Sequence, residues 1–164
     1  CIGVDPYYLI QKAKLHGVSP RLMMEARKTN DSMGGYIAYQ IINRLCLQGT
    51  PVKDSKILLL GFTFKENCPD TRNTKVIDIY RTLEIFTSDI VIYDPWADPH
   101  HACEEYGVEV LTQREKLPKN NNVVVLCVAH NEFLQMDIGS YLNEEGIIYD
   151  VKGKLPVGEK IFRL

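Results

Sequence analysis

The sequence predicts an α/β protein: an open parallel sheet with helices on both faces, preceded by a long helical segment. Two observations carry the prediction. Over residues 5 to about 48, apolar side chains recur at helical spacing, and from Lys56 onward short continuous apolar runs alternate with helical patterns. A run such as Lys56-Ile57-Leu58-Leu59-Leu60-Gly61 is apolar on both faces, as a strand covered on both sides of a parallel sheet must be.

The elements follow in order. Pro6 sits where a first-turn proline is tolerated, Leu9 and Ala13 follow at helical spacing, and Gly17 stops the segment. After a break at Ser19-Pro20, Met33, Ile37, Ile41 and Leu45 mark one face of a long amphipathic helix. Gly34-Gly35 in its interior costs about 1 kcal/mol per glycine relative to alanine, so another backbone is expected to approach closely there. Leu22, Met23, Met24 and Ala26 extend the apolar surface, which suggests a subunit-contact helix; a kinked surface helix is the alternative.

Beyond Thr50-Pro51 the pattern gives a strand at 56–61, a helix over 76–86, a strand at 89–93 stopped by Asp94-Pro95, and a polar helix over about 98–106 closed by Gly107. A brief strand at 108–110, the most apolar and therefore central strand at 122–128, and a strand at 146–150 complete it. Such alternation implies right-handed crossovers and a Rossmann-like, doubly wound sheet with its ligand at the carboxyl ends of the strands. Two parts are expected, residues 1–50 and 51–164.

Composition narrows the partners. A chain of 164 residues that is 45% hydrophobic can bury one core plus an appendage. A net charge of −2 and a pI near 6.1 argue against nucleic acid or a membrane surface and leave a small molecule or a protein. The five cysteines, Cys1, Cys46, Cys68, Cys103 and Cys127, form no CxxC pair, so reduced thiols in a cytoplasmic protein are expected. No metal site is expected either, because His100 and His101, beside Cys103, face different directions on a helix. No apolar run approaches the roughly 20 residues that span a bilayer, and no signal segment leads the chain.

The strand-end rule selects the site. Lys65, Arg72 and Lys152 place positive charge along one edge, and Asn73 or Thr74 is placed to cap the following helix, an arrangement suited to a phosphorylated or diphosphate ligand. The plainer alternative pairs Lys65 and Arg72 with Glu66 and Asp70. No GxGxxG opens the helix, so no dinucleotide fingerprint is present. Cys1 brings a soft nucleophile, Asp5 is its nearest carboxylate, and the chain reads as though cut at its nucleophile. Cys127 is expected in the core and Cys68 in a structural role. His130 and Asn131 are left outside the site, and Trp96 has two candidate places, a pocket or the long helix.

Several stretches in the same order carry a specific likeness. They are Cys1-Ile2-Gly3-Val4-Asp5-Pro6-Tyr7-Tyr8-Leu9, Arg27-Lys28-Thr29-Asn30-Asp31-Ser32-Met33-Gly34, the Gly61-Phe62-Thr63-Phe64-Lys65-Glu66-Asn67-Cys68-Pro69-Asp70-Thr71-Arg72-Asn73-Thr74 loop, Tyr93-Asp94-Pro95-Trp96 and Tyr149-Asp150-Val151-Lys152. From end to end the chain resembles the carboxy-terminal part of the UDP-glucose/GDP-mannose dehydrogenase superfamily, nearest its UDP-N-acetylhexosamine branch. The resemblance implies a two-step, NAD-dependent oxidation of a sugar C6 alcohol to a carboxylate by way of a cysteine thiohemiacetal and thioester. It places the nucleophile on Cys1 and a water- and lysine-orienting aspartate on Asp5, four positions on and on the same face of a helical turn. It assigns Phe64 and Lys65 to the UDP-sugar, Lys152 more loosely to the same substrate, and Arg72 to the cofactor. It further implies a homodimer through the long helix. The family's amino-terminal glycine fingerprint and its partner lysine and asparagine lie outside these residues, so this chain alone is expected to be inactive. Two rival readings, an amino-terminal nucleophile hydrolase and a non-catalytic α/β binding or dimerisation module, remain open at this stage.

Overall fold

The structure, a computed structural model, describes residues 3–164. Helix α1 spans Asp5–Leu15 with proline in its first turn and buries only Ile10. Helix α2 spans Arg21–Leu47, and its two halves differ. Leu22 near its start is exposed, whereas Gly34, Ile37, Ala38, Ile41 and Leu45 are buried. The four-residue spacing thus describes the face laid on the sheet, and the earlier turns stand clear of it.

Strands β1 (Ile57–Leu60), β2 (Ile90–Tyr93), β3 (Val110–Leu111), β4 (Asn121–Leu126), β5 (Leu142–Asp150) and β6 (Ile161–Arg163) form one sheet in the order β3-β2-β1-β4-β5-β6. Every neighbouring pair is parallel. The order reverses between β1 and β4, the two central strands, and a crevice at such a switch point is where ligands of doubly wound sheets bind. Strand β3 begins two residues later than its pattern suggests. Strand β6, three half-exposed residues at the edge, has too short an apolar run to stand out in the sequence.

Alternation of side chains in β1 divides the core. Ile57 and Leu59 face α2, helix α3 (Val76–Glu84) and helix α4 (Pro99–Tyr106), which contribute Ile41, Leu45, Ile79, Leu83 and Ala102. Leu58 and Leu60 face Leu117, Met136, Tyr141 and Phe133 of the one-turn helix α5 (Asn131–Leu134). Both faces are covered as expected, but one by three helices and the other by a single turn and loops. Each fully buried Leu or Ile contributes about 1.5–3 kcal/mol.

The expected close approach at Gly34 occurs inside the chain. A Cβ there would lie 2.4 Å from Asp78 Cβ and 3.2 Å from the α3 backbone. Absence of a side chain lets α3 seat against α2, so Gly34 needs no second subunit to account for its helix cost. Gly35 is looser, with only Thr82 Oγ1 at 3.8 Å. Tyr8, Leu9, Leu15, Leu22, Tyr39 and Leu47 remain exposed along α1 and α2. Among the described residues no helix is long and apolar enough to cross a membrane.

Candidate functional site

The connection from β1 to α3, residues 61–75, crosses the switch point and carries most of the predicted site. Its first residue, Gly61, has φ +93°, and a Cβ on it would lie 2.5 Å from Val128 Cβ and 2.9 Å from the Val128 backbone nitrogen. The glycine therefore serves the packing of the β1 turn against the end of β4.

Two buried side chains hold the next six residues. Asp94, at the end of β2, accepts the backbone N–H groups of Phe62 and Thr63 on Oδ2 at 2.7 and 2.8 Å. Its Oδ1 accepts those of Trp96 and Ala97 at 2.8 and 3.2 Å. His130, beyond β4, lies 3.0 Å from Asp94 Oδ2 through Nε2, and its Nδ1 accepts the Asn67 N–H at 2.8 Å. A backbone N–H can only donate, so Nδ1 is unprotonated and the ring proton sits on Nε2, where it points to Asp94 and to Thr63 Oγ1 at 3.1 Å. Burial pushes the Asp94 carboxyl up, but the bonds from His130, Phe62 and Thr63 outweigh it and hold the carboxyl below its ordinary value. Asn67, at φ 55°, returns a bond by accepting the Asn131 N–H on Oδ1 at 3.0 Å. Trp96 covers the cluster, its ring stacked on His130 with centroids 6.2 Å apart and its Nε1–H donated to Glu132 at 3.1 Å.

Between these anchors Phe64 and Lys65 are exposed. Farther along, Asp70 and Arg72 form a two-pronged pair at 2.9 and 2.8 Å on the exposed rim. The guanidinium of Arg72, aided by that residue's own backbone N–H, holds the Asp70 carboxyl down to about 2. The N-cap position of α3 is Lys75, which makes no side-chain capping bond; of the two expected candidates only Thr74 reaches the helix start, its Oγ1 accepting the Val76 N–H at 3.3 Å.

Phe64 borders a cleft of about 560 Å³ between α1, α2 and α3, whose walls include Gly3, Val4, Arg27, Asn30, Asn73 and Lys75. Its floor is organised by Asp31, which accepts Tyr7 Oη–H, Arg27 at 3.4 Å and Lys75 at 3.1 Å. The tyrosine bond, then Lys75 and Arg27, keep the Asp31 carboxyl low against the opposing effect of burial. Arg27 also lies over the Tyr7 ring at 5.1 Å, and its Nε is buried without a partner among the described residues. The cleft thus holds two cations and two amides that can hydrogen-bond an anion, together with three carboxylates, Asp31, Asp78 and Glu105, of which Asp78 also pairs with Lys75 at 3.3 Å, so an anion would have to displace these pairs.

A smaller hollow of about 190 Å³ lies on the other side of Phe64 and reaches Lys152 and Cys127. Lys152 Nζ is bonded to Glu66 at 2.8 Å, which lowers the Glu66 carboxyl. The buried Asp150 accepts the Lys152 and Leu155 N–H groups at 3.1 and 2.8 Å and so shapes this loop as Asp94 shapes the other. Cys127 is a core residue, and burial pushes its thiol up.

The predicted residues therefore separate. Phe64, Lys65, Arg72 and Lys152 all lie at the carboxyl edge of the sheet, with Phe64 at the meeting point of the hollows. Two of the three expected cations are already paired: Arg72 with Asp70, as the plainer alternative held, and Lys152 with Glu66, where that alternative had Lys65. Asp5 is exposed in the first turn of α1, two residues after Gly3 in the cleft wall; Cys1 lies outside the described residues. Asp94 and His130, which hold the loop, and Arg27 and Lys75, which line the cleft, were not selected by the sequence. Asp94 stood at a strand end, the position where the rule pointed, but nothing marked it as buried. Trp96 packs on His130 and away from the long helix. Among the described residues no three His, Cys, Asp or Glu side chains group as a metal site.

An open parallel sheet whose β1–α3 connection crosses the switch point and borders a polar cleft belongs to the doubly wound class, in which ligands bind at the carboxyl ends of the strands. Residues 58–156 match the model of the UDP binding domain of the UDP-glucose/GDP-mannose dehydrogenase family, and the chain belongs to that family. It is 38% identical over its whole length to a UDP-N-acetyl-D-glucosamine 6-dehydrogenase of Salmonella typhi, covering 39% of that protein. It is 37% identical, again over its whole length, to protein CapL of Staphylococcus aureus, covering 40%. In fold it is similar to an NDP-N-acetyl-D-galactosaminuronic acid dehydrogenase of Methanosarcina mazei Go1, with a TM-score of 0.85 at 19% identity over all of this chain and 37% of that one. The chain spans about two fifths of the length of the curated relatives it matches.

Proposed function

We propose that this chain is the nucleotide-sugar-binding portion of a cytoplasmic, NAD-dependent UDP-N-acetylhexosamine 6-dehydrogenase that makes uronic acid precursors of surface polysaccharide. On this reading residues 1–50 end a central helical domain, with α2 as a homodimer contact, and residues 51–164 form the domain that receives the UDP-sugar. Phe64, Lys65 and Lys152 meet the substrate. Cys1 is the thiolate that captures the C6 aldehyde, and Asp5 orients the water that later releases the product from the thioester. NAD+ supplies the hydride acceptor for both oxidations and is held by a part of the protein outside this chain. Arg72, exposed on the rim, is the group here that would reach it.

The observation that carries the reading is the cleft itself: Gly3 and Val4, from the stretch that contains Cys1 and Asp5, line the same cleft as Phe64, Arg27 and Lys75. A substrate whose pyrophosphate meets these cations would bring its sugar toward that stretch. The names of the relatives support the choice of a UDP-N-acetylhexosamine. The test is a substrate panel with the full-length protein. NADH formation with a UDP-N-acetylhexosamine, abolished in Cys1→Ala, and none from the 164-residue chain alone, is the expected outcome. Full activity in Cys1→Ala would overturn the assignment of the nucleophile.

A further inference from the structure

The geometry points to His130 as a positioning residue for the substrate loop: in its Nε2–H form it ties Asn67 to Asp94 and thereby sets Phe64 and Lys65 in their binding conformation. The inference rests on the proposed role of those two side chains. Its basis is the polarity of the anchor. His130 is fully buried with its ring faces against Phe133 and Trp96, while its ring edge meets Asp94, Thr63 Oγ1 and the Asn67 N–H, three polar groups that an aliphatic side chain would leave without this partner. What the imidazole provides is a donor on one side and an acceptor on the other. Nε2–H is directed to Asp94, which fixes residues 62 and 63; Nδ1 receives the N–H of residue 67. The segment carrying Phe64 and Lys65 is therefore clamped at both ends by one Asp–His unit. The reciprocal bond from the Asn131 N–H to Asn67 Oδ1 makes the second clamp two-sided.

Two exposed side chains on a short loop lose binding energy to their own disorder unless the backbone beneath them is held beforehand. His130 does not line the cleft, so its effect on a ligand passes through the loop, by Asn67 at one end and by Asp94 and Thr63 at the other, where Asp94 also has bonds of its own to Phe62 and Thr63. That separates it from Arg27 and Lys75, which line the cleft directly.

The two bonds can be cut separately. His130→Asn puts an amide oxygen near the Nδ1 position and keeps an acceptor for Asn67 while abandoning Asp94. His130→Gln puts an amide nitrogen near Nε2 and keeps a donor to Asp94 while abandoning Asn67. In the full-length protein, UDP affinity is measured by calorimetry beside the melting temperature. Both variants should melt lower by similar amounts, but His130→Gln should weaken UDP binding about tenfold, the value of one lost hydrogen bond to a buried group, and His130→Asn by less than about threefold. Equal affinities in the two variants, or native affinity in His130→Gln, would overturn the inference, since a purely structural histidine lowers stability without distinguishing them. Phe64→Ala is the control: native UDP affinity there removes the role of the loop itself, whereas weakened binding in Phe64→Ala with native binding in His130→Gln removes only the role of His130. Should neither histidine variant fold, nitrogen-15 spectra of the unaltered protein still decide it, because a ring protonated at Nδ1 at neutral pH cannot accept from Asn67.

Discussion

The loop between β1 and α3 is held at its inner end by buried groups and at its outer end by exposed ones, and the two ends use the same kinds of charge differently. Around residues 62–67, Asp94 and His130 are wholly buried and each of their side-chain polar atoms has a partner within the fold. Around residues 70–72, the side chains of Asp70 and Arg72 lie at the rim and, among the described residues, bond only within that pair, although the Asp70 carbonyl accepts the Phe64 N–H at 2.7 Å. A buried polar group left without its partner costs its full desolvation, whereas an exposed ion pair exchanges its bonds with water at little cost. The inner end therefore fixes the backbone on either side of Phe64 and Lys65, the Phe64 N–H adds a bond to the Asp70 carbonyl, and the outer side chains leave Arg72 able to exchange the Asp70 carboxylate for a ligand.

The sharpest way to break this contrast is Asp94→Ala, which removes the acceptor of the Phe62, Thr63, Trp96 and Ala97 N–H groups and leaves His130 Nε2–H only Thr63 Oγ1. A loss of about 3–5 kcal/mol in urea denaturation is expected; a loss below about 1 kcal/mol would mean that the inner end is no more firmly held than the outer.

The adjacent glycines of α2 give a second contrast between a packed and an open position. Gly34→Ala drives a methyl into the α3 backbone and should destabilise by about 1–3 kcal/mol despite its better helix propensity. Gly35→Ala meets open space beside Thr82 and should stabilise by up to about 1 kcal/mol. Denaturation midpoints that move in the same direction for both would contradict the seating of α3 on Gly34.

Smaller effects are expected at the half-exposed pair. A double-mutant cycle of Glu66→Gln and Lys152→Ala should give a coupling of about 0.2–1 kcal/mol that shrinks with added salt. A coupling insensitive to salt would place the pair among the buried anchors.

The smallest effect, but the cleanest in sign, is the titration of Asp70. Its carboxyl is held down to about 2 in the fold against an ordinary value of 3.8. A group depressed in this way stabilises the fold above its ordinary value, and that contribution is lost as the pH falls through about 2. The pair should therefore add nothing to the pH dependence of stability near neutrality. A carbon-13 titration of the Asp70 carboxyl should show its midpoint near 2, and a midpoint at the ordinary value would show the pair to be open in solution.

The fold was legible because it rests on local periodicity. The runs at 57–60, 90–93 and 123–126 are continuously apolar, the spacing from Met33 to Leu45 is helical, and Gly107 and Asp94-Pro95 punctuate the elements where they end. Strand β6 and the one-turn α5 escaped notice because three or four residues carry no period. The edge of the sheet that bears the site was also readable, since crossover handedness and strand order place every loop of residues 61–75 and 151–155 on the same side.

What no pattern in the chain could supply is which charges meet. Asp94 and His130 are 36 positions apart, and Asp31 joins Lys75 across 44, because the parallel crossovers and the α2–α3 contact bring those positions together. Lys152 found Glu66 where the sequence offered Lys65 as its neighbour for the same reason. Hydrophobic burial is recorded residue by residue and survives in the sequence as a period. A hydrogen bond depends on the relative placement of two distant backbones to within a few tenths of an ångström, and only the packed tertiary structure decides that.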